Sequence, residues 1–394
     1  MTDVHGFAES GYGKVADAFA ANFDAGEVGA AVAVEVGGAR VVDLWAGDAD
    51  PDGADVPEGG GRWRADTLAV MFSCSKGVTS LCLYLLVQDG LLDLDQPMAA
   101  YWPEFATEGK DRLTVRQALA HRAGLPVVDG PTTRADVLDW DTMTNRLAAQ
   151  APLWEPNSGY LYHSMTFGWL AGEIIRRLSG QLPGDFLASR LTGPLGLELW
   201  IGLPESEHGR VARILPPTLS PDQAVANAAA AANPAPPSLA EEIGERSVSL
   251  NGGLSRSELL LDVFGEPEIL SAQFPAANGV ATARSLARLY SCAVTGEDRL
   301  LTRESITDAT RTVSTGPSVF DVDDGFNFGT GFGLAVPEFP MLGPRSFGHG
   351  GAGGKAAFGD DDAGIGFAYL NNLFGTDPDM RAWSLVDALR ASLG

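Results

Sequence analysis

The chain has 394 residues, 45 % hydrophobic and 20 % charged, an ordinary globular composition that excludes wholesale disorder and leaves room for a large core interrupted by an inserted subdomain. Its 51 acidic against 27 basic residues give a net charge of −24, a field that repels nucleic acid and anionic membrane surfaces and otherwise chiefly serves solubility. Cys74, Cys82 and Cys292 lack the paired spacing of a disulfide framework or a four-ligand zinc site, so buried thiols are expected.

The opening residues, Met1-Thr2-Asp3-Val4-His5-Gly6, show no basic segment followed by an apolar one, and no apolar run of about 18 residues occurs. A cytoplasmic, non-membrane protein is expected. Residues 29–47 alternate in polarity around Gly37-Gly38, the pattern of two antiparallel strands joined by a tight turn. The acidic stretch from Asp48 to Gly53 imitates the start of a calcium loop. Its twelfth position is Gly59, where a bidentate glutamate is needed, so a solvated turn is expected.

Next comes Met71-Phe72-Ser73-Cys74-Ser75-Lys76-Gly77-Val78, which spends one of only four lysines among apolar neighbours. Three residues apart on the first turn of a helix, Ser73 and Lys76 emerge on one face within hydrogen-bonding reach. An ordinary lysine is already protonated at neutral pH and is a poor base. Burial disfavours its charged form, and the positive end of a helix dipole disfavours the ammonium while favouring a developing alkoxide on Ser73. Because S-x-x-K is only four characters long, its context has to carry the reading.

Residues 78–87, 115–120, 165–178 and 285–293 read as helices with turn-rich connections. The stretch 216–237 is rich in proline and alanine and reads as a surface loop or lid, or plain linker. Residues 355–358 and 365–370 flank the turn-forming 359–364 and predict a second hairpin. From Asp379 onward, Trp383, Val386, Leu389 and Leu393 recur at helical spacing behind an Asp cap. Strands first, helices next and strands last imply an α+β fold, an antiparallel sheet flanked by helices with an inserted helical domain. The expected division is a sheet-bearing part from 1–70 and 278–394, and a mainly helical part over 71–277.

The segments "RWRADTLAVMFSCSKG", "GLLDLDQPMAAYWPEF" and "LTVRQALAHRAGLP" resemble the serine β-lactamase and penicillin-binding-protein superfamily. Within it the resemblance is closest to the class C β-lactamase-like carboxylesterases, or family VIII esterases. It implies a β-lactamase/transpeptidase-like fold with Ser73 opening a long helix between the two parts. The family's second motif, a Y-x-N triplet after a W-x-P-G turn, matches Tyr162 in "YHSMTFGWL" after "WEPNSG", with Tyr160 as a decoy. The resemblance gives Tyr162 the task of passing a proton among serine, leaving group and water. Ser164 stands where many β-lactamases carry an asparagine that grips a substrate amide; a hydroxyl cannot offer paired donor and acceptor.

The third motif, K-T-G, is matched by His349, Gly350 and Gly351, where glycines let substrate lie against backbone. The N–H groups of Ser73 and Ala352 are then the implied oxyanion hole. Imidazole in place of lysine removes a permanent positive charge that helps to hold a substrate carboxylate. Together with Ser164 this favours a carboxylesterase for short-chain esters, with weak β-lactamase activity alongside. A β-lactamase, a D-amino-acid amidase or peptidase, an acyltransferase, and a non-catalytic binding protein on the same fold are the alternatives.

No G-x-S-x-G elbow and no H-E-x-x-H pair are present, which argues against an α/β-hydrolase and a zinc hydrolase. His121 is expected to shape a turn rather than to react. The implied chemistry needs a small-molecule ester and neither metal nor organic cofactor. Neither oligomeric state nor the natural acyl group has a signal in the sequence.

Overall fold

The computed structural model describes residues 2–52, 61–219, 222–223, 236–254, 262–296, 299–321, 325–375 and 379–394. The strands are β1 (His5–Ala8), β2 (Gly29–Val36), β3 (Ala39–Gly47), β4 (Ala69–Val70), β5 (Leu199–Trp200), β6 (Val280–Ala281), β7 (Asn327–Phe328), β8 (Gly333–Leu334), β9 (Ser346–Gly351), β10 (Lys355–Asp360) and β11 (Ile365–Asn371). Eight of them form an antiparallel sheet in the order β1-β3-β2-β11-β10-β9-β8-β7. The two hairpins meet in its centre, where Ile365 of β11 faces Val36 of β2 and Asn371 faces Ala30, so the two ends of the chain build one sheet.

The faces of this sheet differ by design of the sequence. Val32, Val34, Phe358, Phe367 and Tyr369 point to one side, where the first helix, α1 (Gly13–Asp24), and the last described one pack with Phe19, Leu385 and Leu389. The opposite side carries Ala33, Ala357 and Ala368, residues small enough for a helix over Ala283–Val294 to lie close. Gly366 shows how close: a Cβ there would sit 2.1 Å from the Ala287 carbonyl oxygen.

Between the sheet halves lies the helical middle. Helix α2 (Cys74–Gln88) is buried around almost its whole circumference, as expected of a helix apolar on every face. It packs against α3 (Thr166–Ser179) and its first turn lies beside β9. The helix over Ala283–Val294 is α4, and the last, Arg381–Arg390, is α5. Among the described residues no helix is long and apolar enough to cross a membrane.

Several expectations change in detail. The helix read at 78–87 begins at Cys74, because the Gly77 position is in the packed core rather than in a turn. The second hairpin's first strand runs on to Asp360, since Gly359 lies against α4 where a side chain would not fit readily. Leu393 lies beyond α5 and is exposed, and Met380, not Asp379, occupies the N-cap position. Asp379 Oδ1 still accepts from the Arg381 N–H at 3.2 Å.

The three-stranded sheet β4-β6-β5 was not anticipated, its two-residue strands being too short to show alternation. Of the stretch 216–237, residues 220–221 and 224–235 lie outside the described residues, as do 53–60 with Gly59. The acidic residues just before that gap pair with arginines, Asp48 with Arg62 at 3.2 Å and Asp52 with Arg213 at 2.7 Å.

Candidate functional site

Ser73 is delivered by a strained approach. Its predecessor Phe72 has φ +44°, a backbone conformation that a bulky side chain rarely adopts. The Phe72 ring is wedged edge-on against Phe264 and Phe374, at centroid distances of 5.2 and 5.5 Å, and the Met71 N–H is tied to the Gly279 carbonyl at 2.8 Å. Packing on both sides thus holds the bend. Ser73 stands at the N-cap of α2 but its hydroxyl makes no capping bond, which leaves Oγ for other partners.

One turn along, the fully buried Lys76 places Nζ 3.1 Å from Ser73 Oγ and 3.0 Å from the Ala276 carbonyl oxygen. Burial is the main cause that carries its pKa well below the ordinary lysine value. The Tyr162 hydroxyl donates to the same Ser73 Oγ at 3.0 Å, and Lys76 Nζ sits 4.8 Å from the centre of the tyrosine ring. Two groups from distant parts of the chain therefore converge on one oxygen.

The segment carrying Tyr162 is fixed by two neutral imidazoles. The His163 N–H donates to His121 Nδ1 at 3.1 Å, and the Leu125 N–H donates to His163 Nε2 at 3.0 Å. On its other nitrogen, His163 donates to the Leu161 carbonyl at 2.6 Å. Burial lowers the His163 pKa to about 4 and that of His121 well below its usual value, so both stay uncharged. His121 packs its ring 4.8 Å from that of Tyr162 without a hydrogen bond to Ser73.

In the turn before it, Asn157 adopts φ +67°, doing the work of a glycine, while Arg122 holds its side-chain oxygen at 2.6 Å. Tyr160 turns away and donates to the Gly316 carbonyl at 2.5 Å.

The third element is the end of β9. Gly351 lies so close to the start of α2 that a Cβ would come within 2.4 Å of the Met71 carbonyl oxygen, and the Cys74 thiol donates to the His349 carbonyl at 3.2 Å. His349 Nδ1 donates to the Gly350 carbonyl at 2.7 Å. Burial first, and then the nearby Lys76, push the His349 pKa down to about 3, so the ring is neutral throughout the physiological range.

A cleft of about 520 Å³ opens over these groups. Ser73, Tyr162, Ser164 and His349 line it, as do Gly350, Gly351 and Ala352, while Lys76 lies beneath its floor. Its wall of Phe326, Phe328, Phe339 and Trp383 was not legible as a site, because the rings come from the β7 segment, a later turn and α5. Trp383 read only as core spacing. Lys355, buried at the cleft margin, also went unnoticed beside the glycines. No group of three His, Cys, Asp or Glu residues able to hold a metal ion occurs among the described residues. In chemical terms, the cleft offers a hydroxyl with two partners able to accept or return its proton, beside a mostly apolar wall.

The Beta-lactamase family model matches residues 15–392. The chain is 36 % identical over 384 residues to the esterase/beta-lactamase LipL of Mycobacterium tuberculosis (strain ATCC 25618 / H37Rv), covering 94 % of this chain and 83 % of that protein. A penicillin-binding protein homolog from Caulobacter crescentus has a similar crystal structure, with TM-score 0.83 and 36 % identity over 99 % of this chain and all (100 %) of the other. A family VIII carboxylesterase gives TM-score 0.80 and 33 % identity, with 99 % of this chain and 100 % of that one covered.

Proposed function

The chain belongs to the β-lactamase family, a serine hydrolase of that superfamily, and from that premise we propose that it cleaves short-chain carboxylic esters through an acyl-serine intermediate. The observation that carries this reading is the convergence of Lys76 Nζ and Tyr162 Oη on Ser73 Oγ, at 3.1 and 3.0 Å. In the proposed first step the hydroxyl proton passes to the lysine–tyrosine pair as Ser73 Oγ attacks the ester carbonyl. The oxyanion rests on the N–H groups of Ser73 and Ala352. Tyr162 then returns a proton to the departing alcohol. In the second step the same pair takes a proton from water, whose oxygen attacks the acyl carbonyl, and returns that proton to Ser73 Oγ as the C–Oγ bond breaks and the acid is released.

Esters are favoured over penicillins on electrostatic grounds. A neutral His349 supplies no cation to a substrate carboxylate, and Ser164 offers a single hydroxyl where an amide would offer donor and acceptor together. The names of the relatives keep β-lactam hydrolysis as a secondary activity of this reading. We also place Ser73 at the junction of the two parts, 1–70 with 278–394 and 71–277, and the protein in the cytoplasm, where its unpaired thiols stay reduced.

Turnover of p-nitrophenyl butyrate is to be compared with that of nitrocefin and of D-alanyl peptides. Efficient butyrate hydrolysis that vanishes in Ser73→Ala is the expected result; an inert butyrate removes the esterase reading.

A further inference from the structure

The turn that follows β9 has almost nothing of its own to hold it. Ala352 is flanked by Gly351 on one side and by Gly353 and Gly354 on the other, and both later glycines have positive φ, +85° and +92°. Glycine lets the chain make this turn and also lets it wander. If the Ala352 N–H is to meet a developing oxyanion, something else must fix it, because a preorganised donor is worth most when it need not reorient.

That fixing comes from the far ends of the chain. The Gly353 carbonyl accepts from Arg381 at 3.0 Å and from Asn371 Nδ2 at 3.0 Å. Both side chains also donate to the Leu373 carbonyl, at 3.0 and 2.8 Å, so each bridges two backbone segments. Both converge on the buried Glu27, whose Oε2 accepts from Arg381 at 2.5 Å and from Asn371 at 3.2 Å. The Tyr369 hydroxyl donates to the same oxygen at 2.6 Å, and Asp379 pairs with the other edge of Arg381 at 2.6 Å. On the cleft side Lys355 directs its ammonium to the Ala352 carbonyl at 3.4 Å and over the Phe72 ring at 5.1 Å, so it touches one donor residue and the residue before the other.

A guanidinium between two carboxylates, reaching a third acceptor on a glycine turn, is more than core stability requires. Well-packed apolar residues of similar volume would stabilise that region as well or better. We propose that Arg381 and Asn371, anchored on Glu27, are positioning residues that clamp the turn 352–354 and so aim the Ala352 N–H at the oxyanion of the ester reaction. The inference rests on the acyl-transfer reading above and assigns the buried ionic cluster to the same site. It makes the rate of acylation depend on residues that line no part of the reacting carbonyl.

The test uses the full chain with Arg381→Lys, Arg381→Ala and Asn371→Ala. Active sites are titrated with a fluorophosphonate, so that kcat is expressed per reactive Ser73 and unfolded protein drops out. With p-nitrophenyl butyrate, kcat is expected to fall about 10- to 100-fold, short of the ~10²–10³ lost when an oxyanion donor is removed outright, with KM little changed. The inhibition constant of butylboronic acid should rise in parallel, because it mimics the tetrahedral state. Added methylguanidinium should restore part of the Arg381→Ala rate.

Parent-like kcat and boronate affinity per titrated site in the folded variants overturn the clamp while leaving the esterase reading intact. A parent that neither turns over butyrate nor takes the label sinks both. Should the Arg381 variants fail to fold, Asn371→Ala, which removes no charge, decides alone.

Discussion

Lys76 Nζ lies 3.1 Å from Ser73 Oγ, and its other partner is a backbone carbonyl, Ala276 at 3.0 Å, rather than a carboxylate. Without a counter-charge the buried nitrogen favours its neutral form, which can accept the hydroxyl proton. Hydrolysis should therefore be lost as pH falls through the lowered Lys76 pKa and should hold a plateau above it. A kcat/KM profile on p-nitrophenyl butyrate from pH 5 to 10 measures this. Lys76→Met should remove the limb with at least about 10³-fold of the rate, and Lys76→Arg should do no better, since guanidinium stays charged.

The same shift has a sign in stability. Below pH 10.5 the unfolded amine binds a proton that the folded one refuses until its much lower pKa is reached. Across that interval the unfolded state binds more protons, so this group's contribution makes the fold more stable as pH rises. Urea titrations of the parent and Lys76→Met at pH 7 and pH 10 should show a smaller gain with pH in the variant.

Tyr162 and Tyr160 are two residues apart and face opposite duties. Tyr162→Phe deletes the hydroxyl 3.0 Å from Ser73 and should cost about 10²–10⁴ in kcat, with little change in melting temperature. Tyr160→Phe leaves the Gly316 carbonyl without its donor and should instead cost about 1 kcal/mol of stability, with kcat nearly unchanged. Steady-state kinetics and thermal melts on both variants check the contrast.

The hairpins around Gly37-Gly38 and 361–364 and the helices that start just after Ser73 and a few residues after Tyr162 were legible because each shows its period within one short segment. Residues 69–70, 199–200 and 280–281 were not, since two-residue strands have no period and owe their pairing to distant partners. The choice of Tyr162 over Tyr160 came from family register, not from local chemistry, which is alike for two neighbouring phenols. Arg381 and Glu27 carry no signal in the sequence, since charged residues usually lie exposed. Only folding brings positions 354 residues apart into a 2.5 Å ion pair.

His349 holds the place where a lysine would offer a fixed cation, and its pKa of about 3 leaves it neutral at every working pH. It should add no limb near pH 6.5 to the rate profile. His349→Lys should raise the ratio of nitrocefin to butyrate kcat/KM by about tenfold, the yield of one favourable charge contact of roughly 1.4 kcal/mol. An unchanged ratio would place the discrimination against carboxylates elsewhere in the cleft.

Gly351 is the point at which β9 touches the approach to α2. A Cβ there would fall 2.4 Å from the Met71 carbonyl, 3.1 Å from Lys355 Cβ and 3.3 Å from the Cys74 sulfur, and the carbonyl belongs to backbone that cannot rotate away. Gly351→Ala must therefore move β9 off α2, which widens the gap between Ser73 and Ala352. Overpacking of this kind costs about 1–3 kcal/mol, and the displaced donor should lower kcat at least about tenfold. Gly90→Ala is the control, because its φ of +72° makes the substitution strained while no atom stands in the way. It should lose about 1 kcal/mol by urea unfolding and keep its full rate on p-nitrophenyl butyrate, so that destabilisation alone does not account for a slow Gly351→Ala.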